Sequence, residues 1–189
     1  MKGANSMQVG GSHYSSSYQH WDFVTDYGIH YLLGCATKYL TRYRKKNGIQ
    51  DLEKCVHYFT KARERKSDIY CQAELGFRSS RNLQNPPLDS FNLNPRRAFC
   101  EDFLVDLRRF GHETFPEWQK PESMDGVAYF VLNESLLLYS NPILTLGDFA
   151  GAMDSSILQV QHLIDLLQSQ ESENLDSAAE PNSSYVNQG

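Results

Sequence analysis

The chain has 189 residues, 40% of them hydrophobic and 12% aromatic, with a formal net charge of −5. That content of core-forming side chains excludes a chain disordered throughout, and the negative balance excludes a general nucleic-acid coat. The charge is unevenly placed, however: residues 38–66 carry ten Lys/Arg against three Asp/Glu, a net of +7, whereas residues 67–189 carry seven against eighteen, a net of −11. Halves of opposite sign imply different tasks.

The N-terminal residues 1–12 are rich in Gly and Ser and are expected to be flexible, with no charged-then-apolar leader. The longest apolar stretch, Val127 to Leu146, is interrupted by Asn133, Glu134, Asn141 and Pro142. A cytoplasmic protein without a membrane span is therefore expected. Cys35, Cys55, Cys71 and Cys100 show no CxxC pairing and are read as reduced, buried thiols.

Residues 13–25 mix His, Ser and aromatics without period, which suggests an ordered lead-in loop, with Trp21 in the core. From Asp26 a helical period begins. Leu32, Cys35, Ala36, Tyr39, Leu40 and Tyr43 form its apolar stripe, and Asn47-Gly48 ends it after Arg44, Lys45 and Lys46. A second helix from Gln50 or Asp51 to Lys66 carries Leu52, Cys55, Val56, Phe59 and Ala62, so the two make a helical hairpin. Residues 67–95, with Gly76, Pro86, Pro87 and Pro95, read as a linker or irregular segment. Helical spacing returns in Phe99, Phe103, Leu107 and Phe110, around Ala128 to Tyr139, and in Ile157, Val160, Leu163, Ile164 and Leu167. The acidic tail 169–189 is expected to be disordered. The fold class is thus all-α: a hairpin domain over 13–66, a helical C-terminal region over 96–168, and a tail.

The chemistry concentrates on the hairpin. At about 100° per residue, Lys38, Arg42 and Lys45 fall on one flank of the first stripe, and Asp51, Lys54 and Tyr58 on the matching flank of the second. Antiparallel packing would gather the cations on one rim around Asp51. Such a rim suits phosphates: Arg offers a planar fork, Lys a movable charge, and Asp can orient an attacking oxygen. A solvated basic face is the competing reading. His13, Tyr14, Trp21 and Asp22 are placed to close over the rim. His30, His57, His112 and His162 lack metal-ligand spacing, so no metal is assigned, and Gly34 is read as a point of close packing or ligand approach. No Walker loop, Rossmann fingerprint, GxSxG or kinase HRD motif occurs.

The order Ser12-His13-Tyr14, Trp21-Asp22-Phe23, the run from Gly34 through Lys38-Tyr39 and Arg42 to Gly48, and Asp51-Leu52-Glu53-Lys54 with His57-Tyr58 resembles a bacteriophage family of nucleotide kinases without a Walker motif. The resemblance covers about residues 10–66. It implies phosphoryl transfer from a nucleoside triphosphate to a deoxynucleoside monophosphate, by an oligomer, with His13, Tyr14, Lys38, Arg42, Lys45, Asp51 and Lys54 as carried-over site residues. In that reading Lys38, Arg42, Asp51 and Lys54 are catalytic, and His13, Tyr14, Asp22, Lys45 and Tyr58 hold the substrate. Two other functions fit the same cations: a sponge that sequesters a nucleotide signal of host defence, and a single-strand binder using Tyr39, Tyr43 and Tyr58 for stacking.

Overall fold

The computed structural model describes residues 19–79, 95–141 and 144–179. Among these the elements are α1 (His20–Asp26), α2 (Tyr31–Arg42), a 3₁₀ turn (Tyr43–Lys45), α3 (Ile49–Glu64), α4 (Lys66–Ser79), α5 (Pro95–Thr114), α6 (Met124–Ser135), α7 (Leu137–Ser140) and α8 (Leu146–Ala179), with no strand. The fold is all-α. No helix among the described residues is long and apolar enough to cross a membrane.

The lead-in segment is more regular than its composition suggests. Gln19 N–H donates to the Asp22 carboxylate at 2.8 Å and closes the first turn of α1, so residues 20–26 are helical and not a loop. Gly28, at φ +57°, then turns the chain, which moves the start of the next helix from Asp26 to Tyr31. His30 caps α2 by accepting from Leu32 N–H at 3.2 Å through Nδ1. Gly48, at φ +51°, reverses the chain between α2 and α3, and its N–H donates to Tyr43 O at 2.9 Å.

The hairpin stripe is rotated from the expected one. Leu33, Ala36, Leu40 and Tyr43 are buried, while Leu32, Cys35 and Tyr39 lie half-buried on the flank. The cause is α1, which covers the other side of α2: the Val24 methyls would stand 3.1 Å from a Cβ at Gly34, so that glycine serves close helix packing. Phe23 of α1 in turn stacks on Phe110 of α5, with ring centroids 5.3 Å apart.

Residues 67–79, expected as linker, are instead helical and contribute Ile69 and Ala73 to the core; residues 80–94 lie outside the described residues. An i, i+4 apolar pair buried against neighbours outweighs the breaker Gly76. Likewise α8 continues through residues 169–179, where disorder was expected, and 180–189 lie outside the described residues. Extension adds one hydrogen bond per residue to an existing helix, and nothing between Gly151 and Ala179 breaks it. Residues 169–175 are exposed, as their polarity requires.

The core does not divide at the expected linker. One apolar cluster joins Phe23, Leu33, Leu52 and Phe59 to Phe103, Leu107, Val131, Leu132, Phe149, Val160 and Leu163. α2 and α3 pack chiefly on each other, and α8 lies along both α3 and α6. All four cysteines are free; Cys55 and Cys100 are buried, Cys35 is half-buried, and Cys71 faces solvent on the outer side of α4, contrary to expectation.

Two glycines give opposite expectations. A Cβ at Gly126, in the first turn of α6, would collide with the Lys120 carbonyl, whereas one at Gly151 on α8 meets open space. Gly126→Ala is expected to cost about 1–3 kcal/mol in urea unfolding through overpacking. Gly151→Ala should stabilise by up to about 1 kcal/mol through helix propensity.

Candidate functional site

Helix α2 presents its polar side to α1 at one flank and to α3 at the other, and this divides the expected rim into separate environments. Asp51, in the first turn of α3, is fully buried. Arg42 reaches it with Nε at 2.9 Å and Nη2 at 3.3 Å, Asn47 Nδ2 donates at 3.2 Å, and Lys54 Nζ stands 3.6 Å away. Burial alone would raise the carboxyl's pKa, but the hydrogen bonds from Arg42 and Asn47 and the charges of Arg42 and Lys54 outweigh it and hold Asp51 below its ordinary value. Asp51 is therefore a structural anion under the hairpin turn and not a rim group oriented toward an acceptor. The pattern gave its position; its burial follows from α3 being covered by both α2 and α8.

The remaining predicted residues separate around this clamp. Lys38 is turned toward α1 and lines a cleft of about 160 Å³ with Gln19, His20 and Trp21. Lys45 lies in a second cleft of about 230 Å³ with Thr41, Tyr43, Arg44, Glu113, Thr114, Phe115, Pro116 and Asp125. There Arg44 Nη1 sits 3.0 Å from the buried carboxylate of Asp125, a pair that sequence periodicity did not show because its halves are some eighty residues apart. Asp22 closes the first turn of α1, and Tyr58 stacks on Tyr39 with centroids 5.7 Å apart. Tyr43, at 2% exposed, belongs to the core and offers no open ring for stacking. His13 and Tyr14 lie outside the described residues. Among the described residues, no group of three or more His, Cys, Asp or Glu side chains is arranged to hold a metal ion.

The first cleft has a defined chemistry. Thr37 Oγ1 donates to Leu33 O at 2.9 Å, so its lone pair faces His20 Nε2, also at 2.9 Å. With the Thr37 hydroxyl hydrogen on Leu33 O, the matching imidazole tautomer is Nε2–H, which leaves Nδ1 as an acceptor. Burial, assisted by the Lys38 charge, lowers the His20 pKa to about 4, so the ring is neutral at neutral pH. Trp21, expected in the core, is 51% exposed beside it. Its place in α1 accounts for this: Phe23 takes the inward position, and a residue two steps earlier points away. The signal available in the sequence was that Trp21 and Phe23 cannot both face inward on so short a helix.

Residues 10–60 match a family model described as a protein of unknown function (DUF3310). The matched segment contains α1, α2, the turn and most of α3, and with them the first cleft and the Asp51 clamp. No curated protein and no solved structure matches the chain.

Two outcomes follow. Asp51→Ala is expected to destabilise by roughly 3–5 kcal/mol in urea titration, because it strands Arg42 as a nearly buried charge. The unfolded chain protonates His20 near 6.5 and the native chain only near 4, so unfolded molecules bind the extra proton between those values. Stability should therefore fall as pH drops through that window, by up to about 3 kcal/mol, with Asp51 adding its own loss at still lower pH. In His20→Gln the upper part of this decline should shrink, leaving the share of His30, whose pKa burial also lowers.

Proposed function

We propose that the chain binds a nucleotide in the cleft between α1 and α2, with the base against Trp21 and the phosphate on Lys38. The observation that carries this reading is that Trp21, 51% exposed, lines one cleft with the Lys38 ammonium and the neutral His20 imidazole. Trp21 offers a π face for stacking, Lys38 a charge for phosphate, and His20 Nδ1 an acceptor for a hydroxyl or amine hydrogen. At about 160 Å³ the cleft is smaller than a pocket that encloses a drug-sized ligand, so part of a nucleotide would lie across the surface. The resemblance to phage nucleotide kinases supports the same ligand class.

Phosphoryl transfer to a deoxynucleoside monophosphate is the second reading, favoured by that resemblance. Within it Arg42 and Asp51 act as a brace that sets the spacing of α2 and α3, since each is committed to the other. Lys38 and Lys54 then supply the neutralising charge. A His20 pKa near 4 makes that ring a weak general base, which weighs toward binding over turnover.

Calorimetric titration with each deoxynucleoside mono- and triphosphate, followed by chromatography of the recovered mixture, separates these readings. Saturable binding with unchanged ligand supports a binding protein, including a nucleotide sponge; appearance of diphosphates establishes transfer; no heat with any mononucleotide overturns both. Lys38→Ala should weaken binding by about tenfold or more, the value of a charged hydrogen bond. Its thermal midpoint should stay close to the parent's, as Lys38 lies outside the core.

A further inference from the structure

The opposite flank of α2 carries a surface that the nucleotide cleft does not use. Tyr31 is 68% exposed, and its ring meets Tyr58 edge-on with centroids 6.3 Å apart. Tyr58 stacks on Tyr39 at an interplanar angle of 20°. Arg42 lies 4.6 Å and Lys54 5.6 Å from the centre of the Tyr39 ring, so cations flank the tyrosines at that end. Lys61 lies one turn beyond Tyr58 on α3, paired to the exposed Glu64 at the surface.

The spacing makes this a continuous face. At about 100° per residue, Tyr31 and Arg42 share one outer sector of α2, and Lys54, Tyr58 and Lys61 share one outer sector of α3. The contacts Tyr31 to Tyr58 and Arg42 to Asp51 fix how the two sectors lie side by side. From Tyr31 to Arg42 the ridge runs for about 16 Å at the helical rise. Aromatic rings alternate along it with positive charge; Asp51 is buried beneath it, and the exposed Glu64 stands beside Lys61 at its end.

We propose that this outer face of the α2–α3 hairpin binds single-stranded nucleic acid without base preference, with bases on Tyr31 and the tyrosines behind it and the backbone on Lys54 and Lys61. Phosphates account for the cations and unpaired bases for the open ring, whereas an acidic peptide would use the charges and leave Tyr31 without a counterpart. Tyr31 is too exposed to be explained by the core, and its ring, met edge-on by Tyr58, stands open for a stacking partner. The surface stands apart from the Trp21 cleft, and its occupancy does not depend on mononucleotide binding.

Fluorescence anisotropy of a labelled oligothymidine of about 20 nucleotides, read between about 50 and 200 mM salt, tests this on the full chain. The expected result is binding that weakens steeply with salt. Tyr31→Ala should lose affinity on the order of tenfold, and Tyr31→Trp should retain it. Lys61→Gln should lower the salt slope by about one. Circular dichroism verifies that the variants are folded, and deoxynucleotide titration of Tyr31→Ala should match the parent, because Tyr31 is not in the cleft. The proposal is overturned if folded parent protein fails to bind the oligonucleotide, or if Tyr31→Ala binds it unchanged. Equal capture of polyglutamate would also overturn it and point to an acidic protein partner. Failure of mononucleotide titration with oligonucleotide binding intact would sink the cleft reading alone.

Discussion

The carboxylate of Asp51 is the constraint on which the hairpin depends. A fully buried anion is costly unless its oxygens are satisfied, and here three side chains from two helices and the turn between them converge on it. This convergence fixes the register of α2 against α3 and places the Gly48 reversal. It also holds Arg42 and Lys54 over the Tyr39 ring. The basic character of the hairpin is thus in part a solution to a buried acid. The cations left for ligands are those outside the clamp, above all Lys38 on one side and the more exposed lysines on the other.

A second set of constraints comes from α1. Seven residues long, it cannot be stable alone, yet it sits on α2 at Gly34, reaches Thr37 through His20, and packs Phe23 among the aromatics of α5. It thereby seals one flank of α2 and creates the cleft in which Lys38 and Trp21 meet. The neutral state of His20 is a consequence of this packing, so the electrostatics of the cleft and the docking of the short helix are one property.

Much of the helical framework was legible from apolar spacing: α3, α5, α6 and the first part of α8 follow it closely, because each buries one stripe. The misses have physical causes. The lead-in helix was hidden because its inward residues are few, and its boundary was hidden because only the backbone at Gly28 shows the turn. The segment after Lys66 read as linker since Ile69 and Ala73, the residues of α4 described as buried, make too faint a period. At the site, the wheel arithmetic correctly joined Arg42, Lys54 and Asp51, but it treated a flank as solvent. Periodicity reports which residues share a side of one helix and is silent on what covers that side. Hence Asp51 was read as a reactive group, and Lys38 and Lys45 were placed together although α1 and the α5–α6 connection take them into different clefts.

The packing of α8 along α3 has a consequence for how this architecture is shared among proteins. Residues 10–60 are the portion matched by a family model, yet the apolar side of α3 within that portion is covered by α8, whose Phe149, Met153, Val160 and Leu163 belong to the same core. The matched segment is therefore a portable face without its own backing. On its own the segment would leave the apolar side of α3 open to water, so it needs an apolar ridge such as that of α8 against it. Here that backing is α8, which carries six Asp/Glu and no Lys or Arg, so the cover of a basic hairpin is itself an acidic helix.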